Sequence, residues 1–230
     1  MSAPFTDAMK LSFRHAMQDF AELRREMVER QIRRRGVRSE SVLAAMVAVP
    51  RHEFVPLDFL DAAYTDKPLP IGEGQTISQP YMVAVMSEAL ELTGAERVLE
   101  VGTGCGYQAA VLSLLAREVY TVETHAPLAL GAQERLARLG YANVHVHTGD
   151  GTLGLAELAP FDGIVVTAAA PEVPPPLLEQ LADGGRLVIP VGAADQQELL
   201  AVRRKGEKTS SRVVNYCRFV PLVGRYGWRS

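Results

Sequence analysis

The 230-residue sequence has one tryptophan and only two cysteines, Cys105 and Cys217. Two such thiols exclude a disulfide framework, and neither has partners at metal-ligand spacing, so no metal is expected. A reduced, cytoplasmic setting is the expectation. No uncharged apolar run approaches the roughly 18 residues of a membrane span. The N-terminal stretch does not read as a signal peptide, because Lys10, Arg14, Asp19 and Glu22 interrupt it. Charge of one sign is not in excess either. A net charge of -3 gives no general reason to expect a nucleic-acid or membrane partner. With 47% hydrophobic and 22% charged residues, the chain suits one substantial globular core with a small appendage.

What is present begins with helix. Phe13, Met17, Phe20, Leu23, Met27, Val28 and Ile32 recur at three- and four-residue steps, predicting helix over residues 1–38 with Gly36 as its stop. The basic run Arg33-Arg34-Arg35 reads as a solvated helix end rather than a phosphate site. Ser39, or alternatively Ser41, caps a second helix that Pro50 ends. Residues 51–56 read as extended or turn, and Leu57–Ala63 as a short helix. Residues 1–75 are therefore expected to form a helical cap and the start of a substrate loop, with the main domain over 76–230. Residues 66–81 hold three prolines and two glycines, which argue against continuous helix or sheet and mark a functional loop. Ser78 stands just before a helical pattern from Met82, and its spacing favours a helix cap over a ligand contact.

From Arg97 the chain alternates strand and helix. Strands are expected at 98–101, 119–122, 144–148, 161–166 and 186–191. Two further strands, 198–204 and 213–220, follow without an intervening helix and read as an antiparallel pair at the sheet's edge. Such βα repetition predicts a doubly wound, Rossmann-like α/β sheet, mostly parallel. Ligands of these folds bind outside the C-terminal strand ends. The candidates there are Glu100, Gly102, Thr103, Gly104, Gly106 and Tyr107, then Glu123 and Thr124, then Asp150 and Gly151, then Thr167.

The glycines at 102, 104 and 106 suit a backbone that turns with positive φ or is closely approached by a ligand. A dinucleotide fingerprint needs Gly-x-Gly-x-x-Gly, but Tyr107 occupies the third glycine position. Glu100 and Asp150 repel a pyrophosphate and suit a cation. S-adenosylmethionine is a sulfonium and an ammonium without phosphate. Glu123, 17 residues after Gly106, is near the spacing at which an acid accepts ribose hydroxyls, and Asp150 is placed for the adenine amino group. These acids favour a methyl donor over a nicotinamide. His145 and His147 share a strand face without further ligands and read as packing or surface, as do the isolated His52 and His125. Cys105 reads as a small residue fitted into the turn.

Residues 69–82 (LPIGEGQTISQPYM) and 98–107 (VLEVGTGCGY) closely resemble the protein-L-isoaspartate (D-aspartate) O-methyltransferase family. Met27–Ile32, Val49–Arg51 with Phe54-Val55, Phe161-Asp162 with residues 165–168, and residues 219–222 resemble it too. The likeness spans roughly residues 24–223. It implies methyl transfer from S-adenosyl-L-methionine, leaving S-adenosyl-L-homocysteine, to the carboxylate of an isoaspartyl residue in a damaged protein. The ester then closes to a succinimide, whose hydrolysis returns some normal aspartyl linkage. The resemblance also points to Ser78 as the active-site residue, with Gln75, Thr76 and Ile77 as a wall between donor and peptide. Ile71, Gly72, Thr76, Ser78 and the segment Val220, Pro221, Leu222 and Val223 are the implied substrate contacts. Another carboxylate or a small molecule is the alternative substrate.

Overall fold

From Phe20 onward the apolar stripe of the N-terminal segment forms helix and turns inward. The computed structural model describes residues 19–229, so Phe13, Met17 and the start of the expected first helix lie outside the described residues. Helix α1 (Phe20–Glu26) starts at Asp19, whose carboxylate accepts from the Ala21 and Glu22 N–H groups. It runs on as a wide π turn over Met27–Ile32 and a 3₁₀ turn over Arg33–Arg35, and stops at left-handed Gly36. Met27, Val28 and Ile32 are buried. Ser39 caps α2 (Glu40–Ala48), accepting from the Val42 N–H. Of the two conformations open to residues 51–56, the turn is the one taken, as a 3₁₀ turn over Arg51–Phe54, and the short helix expected next is a second 3₁₀ stretch, Leu57–Ala62.

The proline-broken loop holds regular structure that its composition concealed. β1 (Leu69–Gly72) and β2 (Gln75–Ile77) form an antiparallel hairpin. Gly72, Glu73 and Gly74 all have positive φ and make its tip. A two-stranded ribbon has free outer edges, so Pro70 is tolerated where a central strand would reject it. The expected boundary between residues 75 and 76 falls inside β2. Helix α3 (Pro80–Ala89) follows.

The remaining chain builds one seven-stranded sheet: β3 (Arg97–Val101), β4 (Glu118–Glu123), β5 (Val144–Thr148), β6 (Phe161–Val166), β7 (Leu181–Gly192), β8 (Gln197–Lys205) and β9 (Lys208–Cys217). Its order is β5-β4-β3-β6-β7-β8-β9. The first five are parallel, and β8 and β9 add an antiparallel pair. Helices α4 (Tyr107–Ser113), α5 (Ala126–Arg138) and α6 (Pro175–Glu179) make the crossovers. α6 is short, ending at Glu179. β7 has already begun at Leu181, and a register slip opposite Phe161–Gly163 absorbs Gly184 and Gly185. β9 also starts before Val213. Its first residues, Lys208 to Arg212, are exposed on an edge strand and carry no apolar alternation to reveal them.

Alternate strand residues feed two cores. Val98 and Val119 join the cap helices, α3 and α4 on one face, whereas Leu99, Val101 and Ile164 join Leu177 of α6 on the other. Strand order reverses between β3 and β6, which places a crevice beside the end of β3.

Candidate active site

The end of β3 is shaped by contacts that exclude side chains. Gly102 donates to the Val122 carbonyl at 2.9 Å, continuing the ladder. A Cβ on Gly102 would collide with the Thr167 hydroxyl, which donates to the Gly102 carbonyl at 2.6 Å. The backbone there has φ +96°, open mainly to glycine. Gly151 faces Val101 just as closely. The strand ends thus approach one another without intervening side chains.

Their convergence opens a cleft of about 810 Å³, its mouth included. Gln75, Thr76, Ile77 and Ser78 form one wall, and Glu100, Gly102, Thr103, Gly104 and Tyr107 the base. Glu123 and Thr124 come from the end of β4, Gly151 follows β5, and Thr167 follows β6. Val220, Pro221, Leu222 and Val223 close the opposite side. This segment is held by a bridge between Ala169 and Pro221 and by the Leu222 N–H donating to Ala169 at 2.8 Å.

Four expected residues do not line the cleft. Gly106 instead lets α4 start close against Leu136 and Ala132 of α5. The Ile71 side chain lies close to Gly104, 3.2 Å from where a Cβ there would stand. Gly72 is exposed at the hairpin tip. Asp150 turns its carboxylate to the Thr152 N–H and hydroxyl and to the Arg225 N–H at 2.8 Å. Burial pushes the Asp150 carboxyl up, but these donors outweigh it and leave the group below its ordinary value. Ser78 differs from its expected role in the other direction. Gln79, not Ser78, is the N-cap of α3, and the Ser78 hydroxyl has no side-chain hydrogen bond among the described residues.

The acids are held firmly. Glu123 accepts from the Gly104 N–H at 2.8 Å and the His125 N–H at 3.0 Å. Glu100 is fully buried. Thr103 donates to Thr121 at 2.7 Å, and Thr121 donates to Glu100 Oε2 at 2.6 Å. The other Glu100 oxygen has no partner. Burial pushes the Glu100 carboxyl up to about 8, with the Thr121 bond opposing and the Glu123 charge adding to the rise. An orphaned buried oxygen beside a second acid creates a local demand for a donor or cation. Burial also raises the Cys105 thiol, so the group stays neutral and the view of it as a small fitted residue holds.

Two polar lining residues escaped sequence reasoning, beside the apolar Val83, Val101 and Val122. His125 joins the cleft, with its Nε2 3.5 Å from the Gln75 side-chain nitrogen. Extending the strand-end rule two residues past Glu123 would have found it. Gln108 donates to the Ser87 hydroxyl at 2.9 Å, while its buried oxygen has no partner. A lone amide in the apolar helix after the glycine turn was its signal. The other histidines pack as expected. His52 stacks on Phe20, and His145 stacks on Tyr120 beside Glu118.

A second groove, about 610 Å³, adjoins the first. The two share Thr76, Ser78, Thr167 and Val220. A model of the protein-L-isoaspartate(D-aspartate) O-methyltransferase family matches residues 22–227. The chain belongs to this family. A protein-L-isoaspartate O-methyltransferase of Geobacter metallireducens is 56% identical over 211 residues, covering 91% of this chain and 98% of its own. One from Methanoculleus marisnigri is 55% identical, covering 90% and 94%. Among solved structures, a protein-L-isoaspartate O-methyltransferase aligns with TM-score 0.76 and 32% identity over 88% of this chain and 67% of its own. A Plasmodium falciparum member in complex with S-adenosyl-L-homocysteine aligns with TM-score 0.75 and 25% identity, covering 87% and 98%. The glycine turn and the hairpin wall thus lie within the part of the chain that characterises protein-L-isoaspartate O-methyltransferases.

Among the described residues no group of three or more His, Cys, Asp or Glu could hold a metal ion. No described helix is long and apolar enough to cross a membrane.

Proposed function

We infer that this protein is an S-adenosylmethionine-dependent methyltransferase acting on the side-chain or main-chain carboxylate that an isoaspartyl or D-aspartyl residue presents in a damaged protein. The observation that carries the reading is the junction of two grooves at Ser78. One is acidic and glycine-floored, suited to a cationic donor; the other is open and polar, suited to a peptide. S-adenosylmethionine supplies the methyl group when bound. Glu100 and Glu123 favour its cationic end and its ribose hydroxyls, and Gly151 leaves room for the adenine.

A carboxylate is ionised at neutral pH and needs no general base. The protein's task is therefore orientation in a dry site. The Ser78 hydroxyl, free of capping duty, donates to one carboxylate oxygen and turns the other toward the donor cleft. Thr76 and Ile77 separate the two chambers, and residues 220–223 exclude water from the far side. Succinimide closure of the ester needs no further group from the protein.

Labelled methyl transfer to an isoaspartyl peptide, with its normal aspartyl twin as control, tests this reading. Transfer to the isoaspartyl peptide alone is expected. Equal labelling of both, or of neither, would reject it.

A further inference from the structure

Helix α3 begins with an unmet need. Pro80 has no N–H, and the Met82 and Val83 N–H groups reach the Gln79 carbonyl at 3.1 and 3.3 Å. The Tyr81 N–H remains. The adjacent Gln79 side chain makes no cap. Asp66, on the segment before the hairpin, meets that need, accepting from the Tyr81 N–H at 2.9 Å. Its other oxygen takes the Gln79 amide at 3.4 Å and an ion pair from Arg35. The Arg35 guanidinium lies 3.5 Å above the Tyr81 ring. One mostly buried carboxylate thus ties the end of the first cap helix to both residues flanking Pro80.

We propose that Asp66 is a positioning residue for methyl transfer, capping α3 from a distance so that the Ser78 hydroxyl remains available to substrate. Ser, Thr, Asp and Asn just ahead of a helix ordinarily supply the cap themselves. Here Ser78 stands ahead of Gln79 and is relieved of that work. The Asp66 carboxylate also fixes the backbone at Gln79 and Tyr81, on either side of Pro80, and with it the direction in which Ser78 points. Arg35 holds Asp66 in place and itself lines the peptide groove with Tyr81. The functional half of this proposal rests on the Ser78 reading; the backbone half does not.

The test uses the full chain with Asp66→Ala, Asp66→Asn and Ser78→Ala. Amide hydrogen exchange is followed at residues 75–82, and at 102–107 as reference. Turnover of an isoaspartyl peptide and calorimetric affinity for S-adenosylhomocysteine are measured alongside. Asp66→Ala is expected to speed exchange at 75–82 only, and to lower kcat roughly ten- to a hundred-fold, with affinity for S-adenosylhomocysteine unchanged. Asp66→Asn keeps an oxygen acceptor for the Tyr81 N–H and should recover part of kcat. Unchanged exchange at 75–82 overturns the cap. A kcat loss matched by lost S-adenosylhomocysteine affinity, or equal loss in both Asp66 variants, overturns the positioning role. Normal turnover in Ser78→Ala rejects the reading of Ser78, while the exchange result still decides the cap.

Discussion

The Thr167 hydroxyl occupies the space where a Gly102 side chain would stand, and donates to the Gly102 carbonyl at 2.6 Å. The end of β6 therefore reads the absence of a side chain at the end of β3. Gly102→Ala should destabilise the fold by about 1–3 kcal/mol from backbone strain alone, with the collision added. Adding Thr167→Ala should relieve the collision but not the strain at φ +96°. Denaturant unfolding of the single and double variants checks this. A double variant as stable as the parent would remove the strain argument.

Ser78→Ala should abolish most turnover of an isoaspartyl peptide, roughly a hundred-fold for the loss of one positioned donor. Affinity for S-adenosylhomocysteine should stay put. Steady-state kinetics and calorimetry provide both numbers, and undiminished kcat would leave Ser78 without a catalytic part.

Glu123→Ala removes the acceptor for the Gly104 and His125 N–H groups and the proposed ribose contact. Donor binding should weaken by about 2 kcal/mol, roughly thirty-fold in Kd. An unaltered Kd by calorimetry would exclude the ribose assignment.

Glu100 predicts a pH dependence with a definite sign. Its carboxyl is raised from 4.5 to about 8 in the folded protein. Between those values the folded state holds the extra proton, so this group's contribution to stability falls as pH rises and levels off above about 8. A cation bound beside Glu100 favours the ionised form. Donor affinity should therefore rise with pH up to about 8, with proton release on binding below it. Glu100→Gln should remove both dependences. Comparing unfolding midpoints and binding heats of parent and variant, in buffers of different ionisation enthalpy, isolates Glu100 from the histidines. A release of protons that persists in the variant would assign it elsewhere.

Asp150→Ala should free the Arg225 N–H and loosen the wall at 220–223, weakening S-adenosylhomocysteine and its inosine analogue alike. A contact with the adenine amino group adds a further loss for the adenosyl compound only. Calorimetry with the two ligands separates these effects, and equal losses would leave anchoring as the sole role of Asp150.

The donor side of the site was legible because its signals are local. An apolar run, alternate glycines and the start of a helix lie within ten residues of Arg97, and acids close successive strands. The loop side was harder. Leu69, Ile71 and Ile77 are too few to display a strand period, so the hairpin passed for irregular chain. Ser78 has the residue type of a cap, but the helix starts one residue later, with Gln79 at the N-cap, and the Tyr81 N–H is taken by the carboxylate of Asp66 at the far end of the loop. Gly106 and Asp150 satisfy sequence patterns for ligand contacts, yet their surroundings, Leu136 and Arg225, come from distant segments that no local pattern records. The resemblance to the family joined the two sides before the geometry did.

Gln75 on one wall of the cleft and Val223 on the other come from opposite thirds of the chain. Any molecule lodged between them acts as a reversible staple across the whole fold. Its occupancy raises the cost of unfolding by about 2.7 kcal/mol at a hundred times Kd. Spent donor lodged in the same cleft would contribute according to its own affinity. An enzyme that mends ageing proteins would thus have its own durability set by the cell's supply of methyl donor and its by-product together, whatever the rate of repair.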